Sequence, residues 1–395
     1  MPVAIVNLNV IQVLGLSCFG LLIGGWLKRL LPALDRLNIP TSIVGGLVYA
    51  VAILLLRDRW LNLEMDMALR NLLMVAFFTT IGMSASLKLV WQGGKLVVVF
   101  FTAAVVGLIL QNALGVGMAK ALGIDPLIGL LAGSVSLTGG PATALAFGQE
   151  FEKLGLASAT VLGLAAAVAG ILSGGLLGGF VGGSLIRRRG LRGTGEAAAG
   201  DAGAAPEAAQ DDGSPLASVI ALAIAMGLGT LVSAWLAKWM ILPAYIGAMI
   251  VAGFIRNLDD HYRFAGISPR HMEVIGDIAL DIFIVMALLT LRLWELVQLA
   301  LPVLLILGLQ IALMVVLCRL LIFPLMGRDY QAAVMTTGYC GFMLGTTANA
   351  MGCMNELVRR YGPTPRAFLV VSIVGAFLID FMNAFIINVF MNLLR

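Results

Sequence analysis

SVSLTGGPATALAFG, from Ser134 to Gly148, and TTGYCGFMLGTTANAMG, from Thr336 to Gly352, are two stretches of small and hydroxyl-bearing residues in an otherwise apolar chain. They sit at corresponding places in its two halves. Irregular backbone at membrane depth needs protein or water around it, because lipid offers no partner to a free N–H or C=O. Paired glycine-interrupted segments of this kind point to a binding site near mid-membrane.

The remainder of the chain fits a bilayer. Of its 395 residues 60% are hydrophobic and only 12% charged, and the mean hydropathy is +1.01; a soluble chain would be about one quarter charged. Apolar runs of roughly 20 residues, the length that crosses about 30 Å of hydrocarbon, are expected at Val10–Leu27, Ile39–Leu56, Asn71–Val90, Leu96–Leu122 and Leu156–Ile186, then at Leu216–Met240, Ile241–Ile255, Glu273–Leu291, Leu296–Leu325 and Ala367–Leu394. The first has no basic residue before it and Lys28 and Arg29 after it, so it reads as a retained span.

These runs predict an all-α polytopic membrane protein of two inverted repeats, each with five transmembrane helices and a re-entrant loop. The first repeat covers 1–186 with its loop at 126–148, and the second covers 216–395 with its loop at 331–354. Between them, 187–215 opens with a basic cluster and continues in Gly, Ala and acidic residues that build no core, which predicts a flexible cytoplasmic linker. With both termini outside, most of the 25 Lys and Arg fall on the cytoplasmic face. Short internal matches keep the same order in both halves: IPTSIVG from Ile39 with LPAYIGA from Leu242, LKLV from Leu87 with LRLW from Leu291, and LQNAL from Leu110 with LQIAL from Leu309.

The first stretch offers the Ser134, Ser136, Thr138 and Thr143 hydroxyls around Gly139 and Gly140. The second offers Thr336, Thr337, Thr346, Thr347 and Asn349 around Gly338, Gly341 and Gly345. Glycine lets backbone amides approach a ligand, and a helix starting after such a break aims its N-terminal amides at an anion. Hydroxyl and carbonyl oxygens equally suit a desolvated sodium ion. The candidate substrate ligands are therefore Ser136, Thr138, Gly139, Gly140, Thr143, Gly341, Gly345, Thr346, Thr347 and Asn349. Glycines 174, 175, 178, 179, 182 and 183 read as packing residues of the fifth span.

Ionisable groups inside spans are costly and mark function by default. Asp277 and Asp281 share a helix face, as do Asp380 and Asn383. Asp281, Asp380, Asn383, Thr138 and Thr347 are the candidate sodium ligands, and Asp277 with Asp281 also supports an alternative, a cation:proton antiporter. Gln111 and Asn112 read as interhelical hydrogen-bonding residues. Glu64, Asp66 and Arg70 read as a loop or cap network, His261 and His271 as loop residues without partners, and the four cysteines as buried packing thiols. No nucleotide loop, metal-ligand spacing or nucleophile with a base is present, which argues against an enzyme and leaves no cofactor to expect beyond a coupling ion. Nor does the charge pattern call for nucleic acid.

MALRNLLMVAFFTTIGMSAS from Met67, LQNALGVGMAKALGIDPLIGLLAGSVSLTGG from Leu110, MALLTLRLWEL from Met286, GYCGFMLGTT from Gly338 and YGPTPRAFLVVSIVGAFLIDFMNA from Tyr361 resemble the glutamate:sodium symporter family over nearly the whole chain. The resemblance implies a secondary transporter of the bacterial inner membrane. It would couple an anionic, glutamate-like amino acid to sodium by elevator-like alternating access, as a homodimer in the lipid bilayer; a related carboxylate is the alternative substrate. The chain departs from the family pattern at Pro141 and Ala142, where a His and a Gly are usual, at Tyr339, where a His is usual, and at Asp277 and Asp281, where Asn and Ser are often found.

Overall fold

Asn9 starts the first helix: its side chain accepts from the Gln12 backbone while the Gln12 side chain accepts from Asn9 N–H, both at 2.9 Å. That helix, α1 (Val10–Leu30), is followed by α2 (Thr41–Leu56), α3 (Ala68–Ser84), α4 (Gly94–Ala121), the short α5 (Pro126–Leu130), α6 (Gly140–Lys153) and α7 (Ala159–Arg189). The second half runs through α8 (Pro215–Leu236), α9 (Ala244–Tyr262), α10 (Pro269–Leu289), α11 (Ala300–Leu317), α12 (Tyr330–Met343), α13 (Thr347–Tyr361), α14 (Pro365–Ile373) and α15 (Ile379–Leu393). The computed structural model describes residues 4–36, 39–57, 61–92, 94–191, 214–262, 266–291 and 300–394. Most of the expected linker, 192–213, and the LRLW match beyond Leu291 lie outside the described residues.

Helices α1 to α3 pack with α8 to α10, and α4 to α7 pack with α11 to α15. Glycine sets the closest crossings. A Cβ on Gly45 of α2 would strike the Gly20 carbonyl of α1, and one on Gly247 of α9 would strike the Gly229 carbonyl of α8. Close backbone approach through small residues is how helices associate where lipid leaves no hydrophobic drive. On α7 the ridge Gly170, Gly174, Gly178 and Gly182 faces α12, α13 and the break between them, whereas Gly175 and Gly179 face open space. Only part of the expected glycine set is therefore a packing surface.

Five described helices are long and apolar enough to cross a membrane, and shorter apolar helices accompany them. The third expected span ends early, at Ser84 rather than Val90, because polar side chains capture its end. Asn257 donates to the Ala85 carbonyl at 2.9 Å and accepts from Leu87 N–H at 2.9 Å, while the Ser86 hydroxyl bonds Asp260, itself paired with Arg256 at 2.9 Å. Two short strands, Ala4–Leu8 and Leu61–Met65, pair in parallel and precede α1 and α3. Helical periodicity gave no hint of them, since extended segments outside the spans satisfy their backbone by pairing with each other. Glu64 lies in the second strand, and Asp66 caps Ala68 at 2.9 Å. His261 and His271 belong to α9 and α10, the latter's backbone capped by Ser268 at 3.3 Å. Cys18 is exposed, while the other three thiols are buried.

Candidate functional site

Asp125 caps α5 by accepting from Leu127 N–H at 2.9 Å, with Pro126 in the first turn. The helix lasts one turn before a π turn over Leu131–Val135, inside which Gly133 leaves helical space at φ −93 and ψ −134. A π turn breaks the regular ladder and frees carbonyls, which is why such turns recur at functional sites. Here the Ser134 carbonyl is freed, and it accepts from Gly139 N–H at 2.9 Å and from Asn383 Nδ2 of α15 at 3.0 Å. Gly140 then turns the chain at φ +64, a conformation open to glycine at little cost, and α6 begins.

The second break is built differently. Helix α12 stops at Met343, and Thr346 adopts the extended N-cap conformation, its hydroxyl accepting from Asn349 N–H at 3.4 Å. The Asn349 side chain donates to the Ile171 carbonyl of α7 at 2.8 Å. Thr347 donates to the Gly375 carbonyl, within the π turn Val374–Leu378 that joins α14 to α15. Each break is thus tied to a helix of the opposite half.

The two breaks meet. A Cβ on Gly140 would lie 3.6 Å from Thr346 Cγ2 and 3.7 Å from the Gly345 carbonyl oxygen. Gln111 of α4 joins them, donating to the Met343 carbonyl at 2.9 Å while its own oxygen accepts from the Thr138 hydroxyl at 2.8 Å. Asn112 accepts from Ser134 N–H at 3.0 Å, and Gln310 of α11 donates to the Gln111 carbonyl at 2.7 Å. Helices α6 and α13 therefore begin beside one another, so that the free amides and positive dipole ends of both converge on one buried region. Pro141 supplies no amide there, but an amide in the first turn has no intrahelical partner in any case, so it costs the helix nothing.

Buried oxygens around this region lack partners among the described residues: Ser134 Oγ, Ser136 Oγ, Gln310 Oε1, Asn349 Oδ1 and Asn383 Oδ1 make no hydrogen bond there. An unmet buried polar group costs about 1–3 kcal/mol, so a cluster of them calls for a bound species. Asp380, one turn from Asn383, forms no hydrogen bond or ion pair among the described residues. Asp281 is placed elsewhere: it faces Ser42 of α2 and Lys28 of α1, and Asp277 is exposed. Tyr339 sits among Phe100 and Phe342, with ring centroids 6.0 and 5.5 Å away, and its buried hydroxyl is directed at Gly107.

Ser136, Thr138, Gly139, Gly140, Thr143, Gly345, Thr346, Thr347 and Asn349 are thus on the two breaks, while Gly341 packs α12 onto Ala350 of α13. Gln310 and the π turn at Val374–Leu378 were missed by sequence reasoning. Gln310 was legible as the partner of Gln111 in the LQNAL and LQIAL match; the π turn carries no period in the sequence.

Two helices that start side by side in a buried polar centre, within a chain of membrane-crossing helices, define a polytopic membrane transporter. The sodium/glutamate symporter family model matches residues 6–363, and the chain belongs to that family. It is 37% identical over 399 residues to the sodium/glutamate symporter of Escherichia coli (strain K12), covering 98% of each chain, and equally to that of Shigella flexneri. Identity to the sodium/glutamate symporter of Haemophilus influenzae is 34% over 403 residues, with 96% of each covered.

Proposed function

We propose that this chain carries glutamate, or a closely related anionic amino acid, across the membrane with sodium as the co-transported ion. The observation that carries this reading is the convergence of the α6 and α13 N-termini beside unpartnered oxygens. Helix N-termini attract the anionic group of a substrate, and oxygens without their own donors coordinate a cation. Family membership and the three named relatives support the same substrates.

In this assignment the substrate carboxylates meet the amides following Gly139 and Gly140 and those following Gly345 and Thr346. The hydroxyls of Ser136, Thr138, Thr143 and Thr347 and the amide group of Asn349 complete the cradle. Sodium is assigned to Asp380, Asn383 and the oxygens of the first break, including Thr138. Asp281, which the sequence also nominated, is assigned to charge balance with Lys28 instead. Its polar neighbours lie on α1 and α2, away from the breaks.

The breaks are read as re-entrant loops of two inverted repeats. Equivalent pairs recur across the halves: α1 on α2 and α8 on α9, α2 on α10 and α9 on α3, while α4 lies against its own equivalent, α11. A pseudo-two-fold axis requires this pattern. Transport then follows from movement of α4–α7 and α11–α15 against α1–α3 and α8–α10, in a homodimer of the bacterial inner membrane with both termini outside. Binding of both solutes biases which side is open, because the loaded carrier and the empty one favour the two states differently.

Uptake of radiolabelled glutamate into proteoliposomes tests the reading. It is expected to require an inward sodium gradient; equal uptake with potassium or choline in place of sodium overturns it.

A further inference from the structure

Setting Gly139 against Gly345 aligns the helices that follow the two breaks without a gap. Ala146 then corresponds to Gly352, Gln149 to Asn355, Glu150 to Glu356 and Lys153 to Arg359. QEFEK in α6 and NELVR in α13 therefore share an amide, a carboxylate, an apolar and a basic residue in the same order, and differ in kind only at Glu152 against Val358.

Up to Glu150 the two faces are in opposite states, while beyond it Lys153, like Arg359, is exposed. On α6, Ala146 is fully buried, Phe147 meets the Tyr245 ring of α9 edge-on with centroids 5.5 Å apart, and Gln149 accepts from Arg70 of α3 at 3.3 Å. Arg70 also reaches the Thr290 hydroxyl at 3.4 Å, so it ties α6 to the end of α10. On α13, the corresponding Gly352, Asn355, Glu356 and Arg359 are exposed, as is Arg360, and together they border an open hollow along one side of the helix. Their i, i+3, i+4, i+7 spacing makes one helix face. Ala348, exposed one turn nearer the break, extends it to Thr346. Asn, Glu and Arg on one face are too polar for hydrocarbon, so this face is hydrated.

We propose that these are repeat-related gating faces, and that the structure is open to the break centre along α13 and shut along α6 by the Arg70–Gln149 contact. The hydrated stripe is the route by which an anion reaches the helix N-termini, and Arg359 gives its mouth a positive group. The proposal rests on the transporter reading above. Movement that buries the Asn355 face exposes the Gln149 face, and Arg70 is the positioning residue that sets the balance.

The test is labelling by a membrane-impermeant thiol reagent, applied separately to the two sides of membranes that contain Cys18→Ser protein, whose three other thiols are buried. Gly352→Cys, with Asn355→Cys as a second reporter of the same face, is expected to react from one side. Ala146→Cys is expected to react at least about tenfold more slowly, and only from the other side. Adding Arg70→Ala should raise the Ala146→Cys rate roughly tenfold and lower that of Gly352→Cys. Reaction of both helices from the same side, or a rate ratio unmoved by Arg70→Ala, overturns the proposal. The rates are read without glutamate, so an error in the substrate assignment shows up in uptake assays and leaves this result intact.

Discussion

Gly140 and Thr346, 206 positions apart in the sequence, are neighbours across the centre of the molecule: a Cβ on the first would stand 3.6 Å from Cγ2 of the second. One turns the chain into α6 and the other caps α13, so their contact is what brings the two helix N-termini to one place. Function then depends on backbone geometry at Gly140 as much as on any side chain.

Gly140→Ala therefore carries two penalties. A φ of +64 costs an L-residue about 1–2 kcal/mol, and the new methyl enters the space between the breaks. Glutamate uptake is expected to fall at least roughly tenfold, while thermal unfolding in detergent moves only by the strain term. Normal uptake by the variant would separate the turn from function.

Asp380 and Asp281 are distinguishable by their sodium dependence. Asp380→Asn is expected to raise the sodium concentration for half-maximal uptake by about tenfold or more, since an ion ligand loses its charge. Asp281→Asn should leave that concentration near its wild-type value. The reverse ranking would move the ion site to the α1, α2 and α10 interface.

Gln111 holds both breaks through one amide group. Gln111→Leu removes one hydrogen bond at the Met343 carbonyl and one at the Thr138 hydroxyl, while the direct bond from Thr138 to that carbonyl at 3.2 Å remains, so the cost is expected at the low end of about 1–3 kcal/mol. Lower thermal stability and weaker glutamate binding should appear together. A loss of binding with unchanged stability would instead make Gln111 a direct substrate ligand.

Tyr339 and Gly107 form a pair in which the hydroxyl occupies the place a Cβ would take. Gly107→Ala is expected to destabilise, and Tyr339→Phe in the same chain to restore much of the loss by removing the opposing oxygen. Tyr339→Phe alone deletes a buried hydroxyl with no hydrogen bond, so its unfolding temperature should stay level or rise. A large drop would mean that this hydroxyl has an essential partner.

Most of the spans, and both breaks, were legible in the sequence because a bilayer imposes its length on every helix and tolerates polar residues only where protein shields them. Helix ends were less legible. The third span was expected to reach Val90, yet Asn257 and Asp260, more than 170 positions later, capture the chain just after Ser84. Asp281 and Asp380 looked alike in sequence, as carboxylates inside apolar runs. Only the packing separates them: Asp281 faces Ser42 and Lys28 on α2 and α1, whereas Asp380 lies on α15, whose Asn383 reaches the Ser134 carbonyl of the first break. The π turns at Leu131–Val135 and Val374–Leu378 leave no local signature, since what they supply is a carbonyl to a partner far away in the chain.

Equilibrium binding of radiolabelled glutamate to the purified protein, measured in sodium and in choline at equal ionic strength, tests the central claim most directly. The account predicts saturable binding that strengthens with sodium concentration and is lost when choline replaces it. Binding of equal affinity in both salts would contradict a shared site for the anion and the cation where α6 and α13 begin.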